Sequence, residues 1–281
     1  MIILFVFIIV AIVFTIMNEY EKRQIEINEY VIESTKIKIP KEYIVISDLH
    51  GCFYKKNSNL LLEQIKKTNV KDVIIAGDFI NGDLKIDCNK TIEFMEELSL
   101  VFNVYYVEGN HEQRMREGTK ACRQKYEGYY IALKKCGVHF LDNSSFDDGK
   151  ICITGLQIPK IYYKKRYNKP LLYEDICCVT GNMDENKYNV LVTHNPRYMD
   201  TYMKTKADMI VSGHFHGCML RLPFIGGVMS TQVDFFPEYD GGIYRKNGKT
   251  IIVSRGLGNH FPGFRINNKP EIIKIKLQNL A

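Results

Sequence analysis

The eight cysteines of this 281-residue chain include no Cys-x-x-Cys pair, and the chain has no internal repeat and no low-complexity stretch. Without that thiol spacing, a disulfide frame or zinc ribbon is not indicated, and the cysteines read as reduced thiols. Nor is there a strong excess of one charge. The formal net charge of +6 falls short of the basic signature of a sequence-specific nucleic-acid binder. It suits an anionic substrate or surface, and otherwise describes a solvated, lysine-rich exterior. Disorder is excluded by 46% apolar content against 25% charged. The length supports one large domain or two small ones.

A secretory signal is also missing, because neither a basic n-region nor a small-residue cleavage site precedes Glu19. Residues Met1–Met17 carry no charge and a single hydroxyl, Thr15. At about 1.5 Å per residue such a run just reaches across a hydrocarbon core. The expectation is a single-pass membrane anchor over residues 1–17, a linker or edge strand over 18–40, and a domain over 41–281. Lys22, Arg23, Lys36, Lys38 and Lys41 point to the cytoplasmic side, but Glu19 and Glu21 blur that bias, so the side stays open.

What the chain does contain is a strand–helix alternation. Apolar, β-rich runs at 43–47, 73–76 and 104–107 alternate with helical patterns at 57–68, 91–98 and 112–135. That rhythm indicates βαβ units with parallel strands buried on both faces. Later strands are expected at 138–141 and 151–154, joined as a hairpin through Asp147-Asp148-Gly149, and then at 190–193, 209–212, 250–254 and 272–277. Two packed sheets with outer helices accommodate this count. Residues 157–188 break the pattern, and Tyr162-Tyr163-Lys164-Lys165-Arg166-Tyr167 interleaves aromatics with positive charge. This segment is either a solvated loop or a flap over an anionic substrate or lipid surface.

Five of the seven histidines fall in polar clusters placed at the carboxyl ends of these strands. The clusters are Asp48-Leu49-His50, Gly77-Asp78, Gly109-Asn110-His111-Glu112, His194, and Gly213-His214-Phe215-His216. Loops at strand carboxyl ends are where α/β sheets bind ligands, and Asp, Asn and His ligate divalent metals. One such cluster is a modest signal; five in succession point to a single metal centre and hydrolytic chemistry.

Set and order resemble the calcineurin-like metallophosphoesterase superfamily, with its D-x-H, G-D, G-N-H-[DE], lone His and G-H-x-H motifs. Gly241-Gly242, Val253–Gly258 and Pro270-Glu271-Ile272 are similar to the tail of its membrane-anchored bacterial branch. That branch holds YkuE- and YaeI-type phosphoesterases and the related lipid A precursor (UDP-diacylglucosamine) pyrophosphatases. The likeness spans roughly residues 40–277. It implies a four-layer αββα sandwich, two mixed sheets flanked by helices, carrying two divalent ions (Mn, Fe or Zn). Asp48, His50 and His216 would hold the first metal and Asn110, His194 and His214 the second, with Asp78 bridging. Two cations about 3.5–4 Å apart need an anionic bridge, and they generate hydroxide near neutral pH for in-line attack on phosphorus. His111 would donate a proton to the leaving oxygen or stabilise developing charge, typically worth about 10²–10⁴ in rate. Glu112 either orients His111 or caps the following helix. Arg255 and Arg265 either grip a phosphate or form salt bridges within the C-terminal hairpin. His139 reads as a core or edge residue, and His260 could come near the site. Gln157, Cys218 and Met219 depart from the residues usual in relatives.

The function implied is a membrane-anchored dinuclear phosphohydrolase for phosphodiesters or diphosphates, with lipid-linked or envelope substrates suggested by the anchor alone. A protein or small-molecule phosphomonoesterase is the alternative within enzymes. A non-catalytic, metal-stabilised membrane scaffold is the alternative outside them. Metal identity, substrate and oligomeric state are not specified by the sequence.

Overall fold

The computed structural model describes residues 2–53, 58–165, 167–181, 183–218, 220–259 and 263–280. Two six-stranded mixed sheets form the body. The first runs, in spatial order, β1 (Glu26–Ser34), β14 (Glu271–Asn279), β2 (Lys41–Ile46), β3 (Asp72–Ala76), β4 (Asn103–Val107) and β5 (His139–Phe140). The second runs β12 (Gly242–Lys246), β13 (Lys249–Val253), β9 (Met209–Ser212), β8 (Tyr188–Thr193), β7 (Ile151–Leu156) and β6 (Ser144–Asp147). A small hairpin, β10 (Arg221–Leu222) with β11 (Gly226–Gly227), lies apart. β2, β3 and β4 pair in parallel, as do β7, β8 and β9.

The alternation of side chains along each strand sets the layers. Tyr43, Val45, Ile74 and Val107 face inward and meet Ile153, Val190, Val192 and Val211 of the second sheet. On the opposite face, Ile44, Ile46, Val73 and Tyr106 pack against helices α2 (Ser58–Lys66), α3 (Asn89–Ser99) and α5 (Lys120–Lys135). The second sheet turns Leu191, Ile210 and Ile251 outward onto α6 (Tyr173–Thr180) and α7 (Met199–Tyr202). Strands apolar on both faces are what a sheet covered twice requires.

Three expectations are corrected. Among the described residues no helix is long and apolar enough to cross a membrane, so the single-pass anchor over 1–17 is overturned. The N-terminal helix α1 (Ile2–Glu21) continues through polar Asn18–Glu21, and its last turns are fastened to the domain. Asn18 Oδ1 accepts from the Arg265 amide at 2.7 Å, Glu21 Oε2 from the Asn268 amide at 2.8 Å, and Phe14 meets Phe264 edge-on. The helical stretch 112–135 is two helices, α4 (Asn110–Arg116) and α5, because Gly118 interrupts it and Thr119 caps α5 by accepting from Cys122 N. The turn at 147–149 joins β6 to β7, whereas β5 extends the other sheet beside β4; the chain changes sheets at Leu141–Asn143. Segment 18–40 supplies β1, which pairs in parallel with β14 at the sheet edge. His139 is exposed on β5 and stacks on Tyr105.

Candidate metal centre

The parallel strands of both sheets end on the same side, so the loops after β2, β3, β4, β8 and β9 converge. Each carries a predicted ligand within its first few residues. Asp48, His50 and His216 form one group whose ligating atoms lie within 4.8 Å of one another; Asp78, His194 and His214 form a second. His50, Asp78 and His111 form a third, placing Asp78 and His111 between the others. All of these side chains are buried.

Holding so many polar groups together distorts the backbone. Asp48 (φ 53°), His50 (51°), Asp78 (53°), His214 (68°) and His216 (51°) all occupy the left-handed region. For side chains other than glycine that conformation costs on the order of 1 kcal/mol or more each and persists where the surroundings impose it. Space is rationed too. A Cβ at Gly109 would collide with Asp78 Oδ1, and one at Gly213 would meet Asp48 Oδ2 at 2.5 Å.

The supporting hydrogen bonds orient the ligands. His194 Nδ1 faces the Ala76 carbonyl at 2.7 Å, which assigns its proton there and turns Nε2 inward, 3.0 Å from Asp78 Oδ2. Asp48 accepts from the Ser47 hydroxyl at 2.5 Å and from the His214 amide at 3.1 Å. Asp78 Oδ1 accepts from the His111 amide at 2.7 Å. Glu112 is fully buried and accepts four backbone amides, those of Asp78, Phe79, Ile80 and Gly109, plus the Tyr106 hydroxyl. It therefore caps α4 and also fixes the Asp78 turn. The Gly82 amide donates to His111 Nδ1 at 2.8 Å, leaving the ring proton on Nε2.

Electrostatics follow from burial of like and unlike charges. Burial pushes the Asp48 carboxyl up to about 6, against the pull of His194. Burial also opposes ionisation of Asp78, but the charge of His194 outweighs it and holds that carboxyl well below its usual range. His194 loses basicity to burial, yet Asp78 and Asp48 push it up to about 10. A centre that attracts a proton this strongly is built for positive charge. Three further features fit metal ions. Asn110 Oδ1 is buried with no hydrogen-bond partner among the described residues. His50 Nε2 and His216 Nε2 face each other at 3.0 Å. The mixed oxygen and nitrogen donor set suits Mn, Fe or Zn.

A model described as calcineurin-like phosphoesterase matches residues 42–218. This chain belongs to that family. It is accordingly a metal-dependent phosphoesterase, and the paired ligand groups are where a dimetal centre of this family would sit. Over 96% of its length the phosphoesterase is 24% identical to an uncharacterized metallophosphoesterase of Aquifex aeolicus, covering 98% of that relative. It is 24% identical to the uncharacterized metallophosphoesterase YkuE of Bacillus subtilis, over 92% of this chain and 87% of that one. To the phosphodiesterase YaeI of Escherichia coli it is 22% identical, over 73% and 69%.

Other predicted residues lie elsewhere. Arg255 donates through Nε to Glu271 at 2.9 Å and pairs with Glu26 at 2.8 Å. Arg265 is buried and donates to the carbonyls of Arg255, Gly256, Gly258 and Asn268. Both arginines are engaged in bonds within the fold. Together they support the turn whose Leu257 and Gly258 amides donate to the Ser47 and Asp48 carbonyls. Gln157 bridges Arg116 and Glu108. Cys218 is buried, and burial pushes its thiol up to about 12. His260, Arg166 and Met219 lie outside the described residues. Sequence reasoning missed Asn268, whose side chain holds the His216 and Cys218 carbonyls at 2.7 and 2.6 Å. Only its place beside the Arg265 turn could have hinted at it.

Proposed function

We propose that this phosphoesterase uses two divalent ions to hydrolyse phosphodiester or diphosphate bonds. One observation carries the reading. Two ligand groups, Asp48/His50/His216 and Asp78/His194/His214, are linked by a third, His50/Asp78/His111, which shares one residue with each. Asn110, whose Oδ1 is buried with no hydrogen-bond partner among the described residues, would complete the second set. Two bound cations supply Lewis acidity toward phosphoryl oxygens and a nucleophile at neutral pH.

The chain's own residues do the rest. Asp78 supplies the negative charge that two neighbouring cations need between them, and Glu112 fixes the turn on which it stands. His194, held by the Ala76 carbonyl, presents Nε2 as a ligand. With Nδ1 occupied by the Gly82 amide, His111 offers a neutral Nε2–H. A neutral imidazole is a poor acid, so this arrangement favours hydrogen bonding to a developing oxyanion over full proton transfer. The diester reading is also supported by the name of the relative YaeI. The lipid-linked substrate rested on the N-terminal anchor alone and has lost that support.

The test is metal-stripped full-length protein given Mn²⁺, assayed on bis(4-nitrophenyl) phosphate and on the 4-nitrophenyl monoester. Metal-dependent diester cleavage that disappears in Asp78→Asn is the expected result. Cleavage of the monoester alone would replace this reading with a phosphomonoesterase. No turnover of either with Mn²⁺ bound would sink the catalytic reading of the site.

A further inference from the structure

The aromatic, basic segment 162–167 is not used by the metal centre, yet the fold spends unusual effort on it. Lys160–Tyr163 forms a single 3-10 turn. Its Tyr162 carbonyl accepts three hydrogen bonds, from Asn195 Nδ2 at 3.2 Å, Gln232 Nε2 at 2.9 Å and the Tyr198 hydroxyl at 3.2 Å. Asn195 and Gln232 are fully buried and also bond each other at 2.9 Å. Asn195 directly follows His194, and the neighbour of Gln232, Thr231, donates to the His214 carbonyl at 3.0 Å. The turn is thus bolted to the two elements that carry His194 and His214. A solvated loop gains nothing from two buried amides devoted to one carbonyl, whereas a turn that must hold one side chain in register does.

That side chain is Tyr163. Its ring stands edge-on to His214, 5.1 Å between centroids, and 6.0 Å from His194. It is only partly buried, and no hydrogen bond to its hydroxyl occurs among the described residues. The ring therefore walls the centre on the side of the second ligand group, with a donor left for something that enters. Lys164 and Lys165, the next two residues, are exposed and add positive charge at the same edge.

We propose that Tyr163 is a substrate-contacting residue whose phenol donates a hydrogen bond to a phosphoryl oxygen of the bound ester. This rests on the dinuclear phosphohydrolase reading above. A neutral phenol suits the task, since it donates without adding charge beside the cations and its pKa lies near 10 even in water.

The experiment compares full-length wild type with Tyr163→Phe, which keeps the ring and removes only the donor. Both are loaded with Mn²⁺ and followed by metal-dependent thermal shift, calorimetric titration with inorganic phosphate, and diester kinetics. The expected result is unchanged Mn²⁺ binding, phosphate affinity weakened about ten- to a hundredfold, and kcat/KM lowered by a similar factor, mostly through KM. Phosphate affinity and kcat/KM within twofold of wild type would overturn the proposal while leaving the phosphohydrolase reading intact. Loss of Mn²⁺ binding in Tyr163→Phe would also overturn it, by showing a structural role. If wild type neither cleaves the diester nor binds phosphate with Mn²⁺ present, the underlying reading fails and the proposal fails with it.

Discussion

Glu112→Gln is the sharpest perturbation of the centre that replaces no candidate metal ligand. Oε1 of Glu112 accepts from Phe79 N (2.7 Å), Ile80 N (3.0 Å) and the Tyr106 hydroxyl (2.8 Å), and Oε2 accepts from Asp78 N and Gly109 N, both at 3.0 Å. An amide can replace only one of those oxygens as an acceptor. Oriented to keep the three bonds, it turns its NH₂ toward the Asp78 and Gly109 amides, leaving two buried N–H groups unsatisfied at about 1–3 kcal/mol each. Burial and the charge of Asp78 push the Glu112 carboxyl up to about 7, so repulsion between the two carboxylates is real and its relief offsets part of that cost. A net loss of about 3 kcal/mol remains, or roughly 6–12 °C in melting temperature for a chain of this size. The Asp78 turn also loses its anchor, which costs about 10- to 100-fold in metal affinity. The assay is thermal melting and Mn²⁺ titration at pH 8, where the wild-type carboxyl is ionised. A variant that melts within about 2 °C of wild type and binds Mn²⁺ equally well would refute the assignment of Glu112 as the anchor of the Asp78 turn.

Gly109→Ala drives a methyl group into Asp78; it should fold but lose at least about 100-fold in Mn²⁺-dependent turnover, measured with metal in excess. Glu21→Ala removes the acceptor of the Asn268 amide, and Asn268 holds the His216 carbonyl. Calorimetry should therefore show one of two Mn²⁺ sites weakened severalfold and the other little changed. Asp142 accepts from the Glu108 amide through Oδ1, a bond that asparagine preserves. Burial and the Glu108 charge push its carboxyl up to about 8 from an unfolded value near 4, so its contribution to stability is present below about pH 4 and is lost as pH rises toward 8. Asp142→Asn should match wild type near pH 4 and exceed it by about 1–3 kcal/mol at pH 8.5 in urea unfolding, the range allowing for partial exposure.

Strands buried on both faces were the most legible part of the fold. Val73–Ala76 and Met209–Ser212 are continuous apolar runs bounded by polar residues, and a run of that length has few alternatives to a central parallel strand. Pairings between distant segments were less legible. Glu26–Ser34 lies at a sheet edge with no regular polar–apolar alternation, and its partner, Glu271–Asn279, lies at the other end of the chain. Nothing local to residues 18–40 names that partner. The break between α4 and α5 is one glycine and a threonine cap inside an otherwise helical pattern, a signal that tolerated helix glycines also give.

The site shows the same division between local chemistry and distant geometry. The candidate ligands Asp48, His50, Asp78, Asn110, His194, His214 and His216 stood out because they lie within a few residues of strand ends, so position along the chain stands in for position in space. The groups that hold the ligands obey no such rule. Glu112 reaches 34 residues back to the Asp78 amide, and Asn268 reaches 52 residues to the His216 carbonyl. Residues 1–17 misled for the complementary reason. Composition over a short window measures how apolar a segment is but not what it touches, and here Asn18 and Glu21 are buried against Arg265 and Asn268. The Glu21 bond ties α1, through Asn268, to the loop that carries His216. A helix that composition assigns to a different solvent is thus, in the folded chain, one step removed from the metal centre.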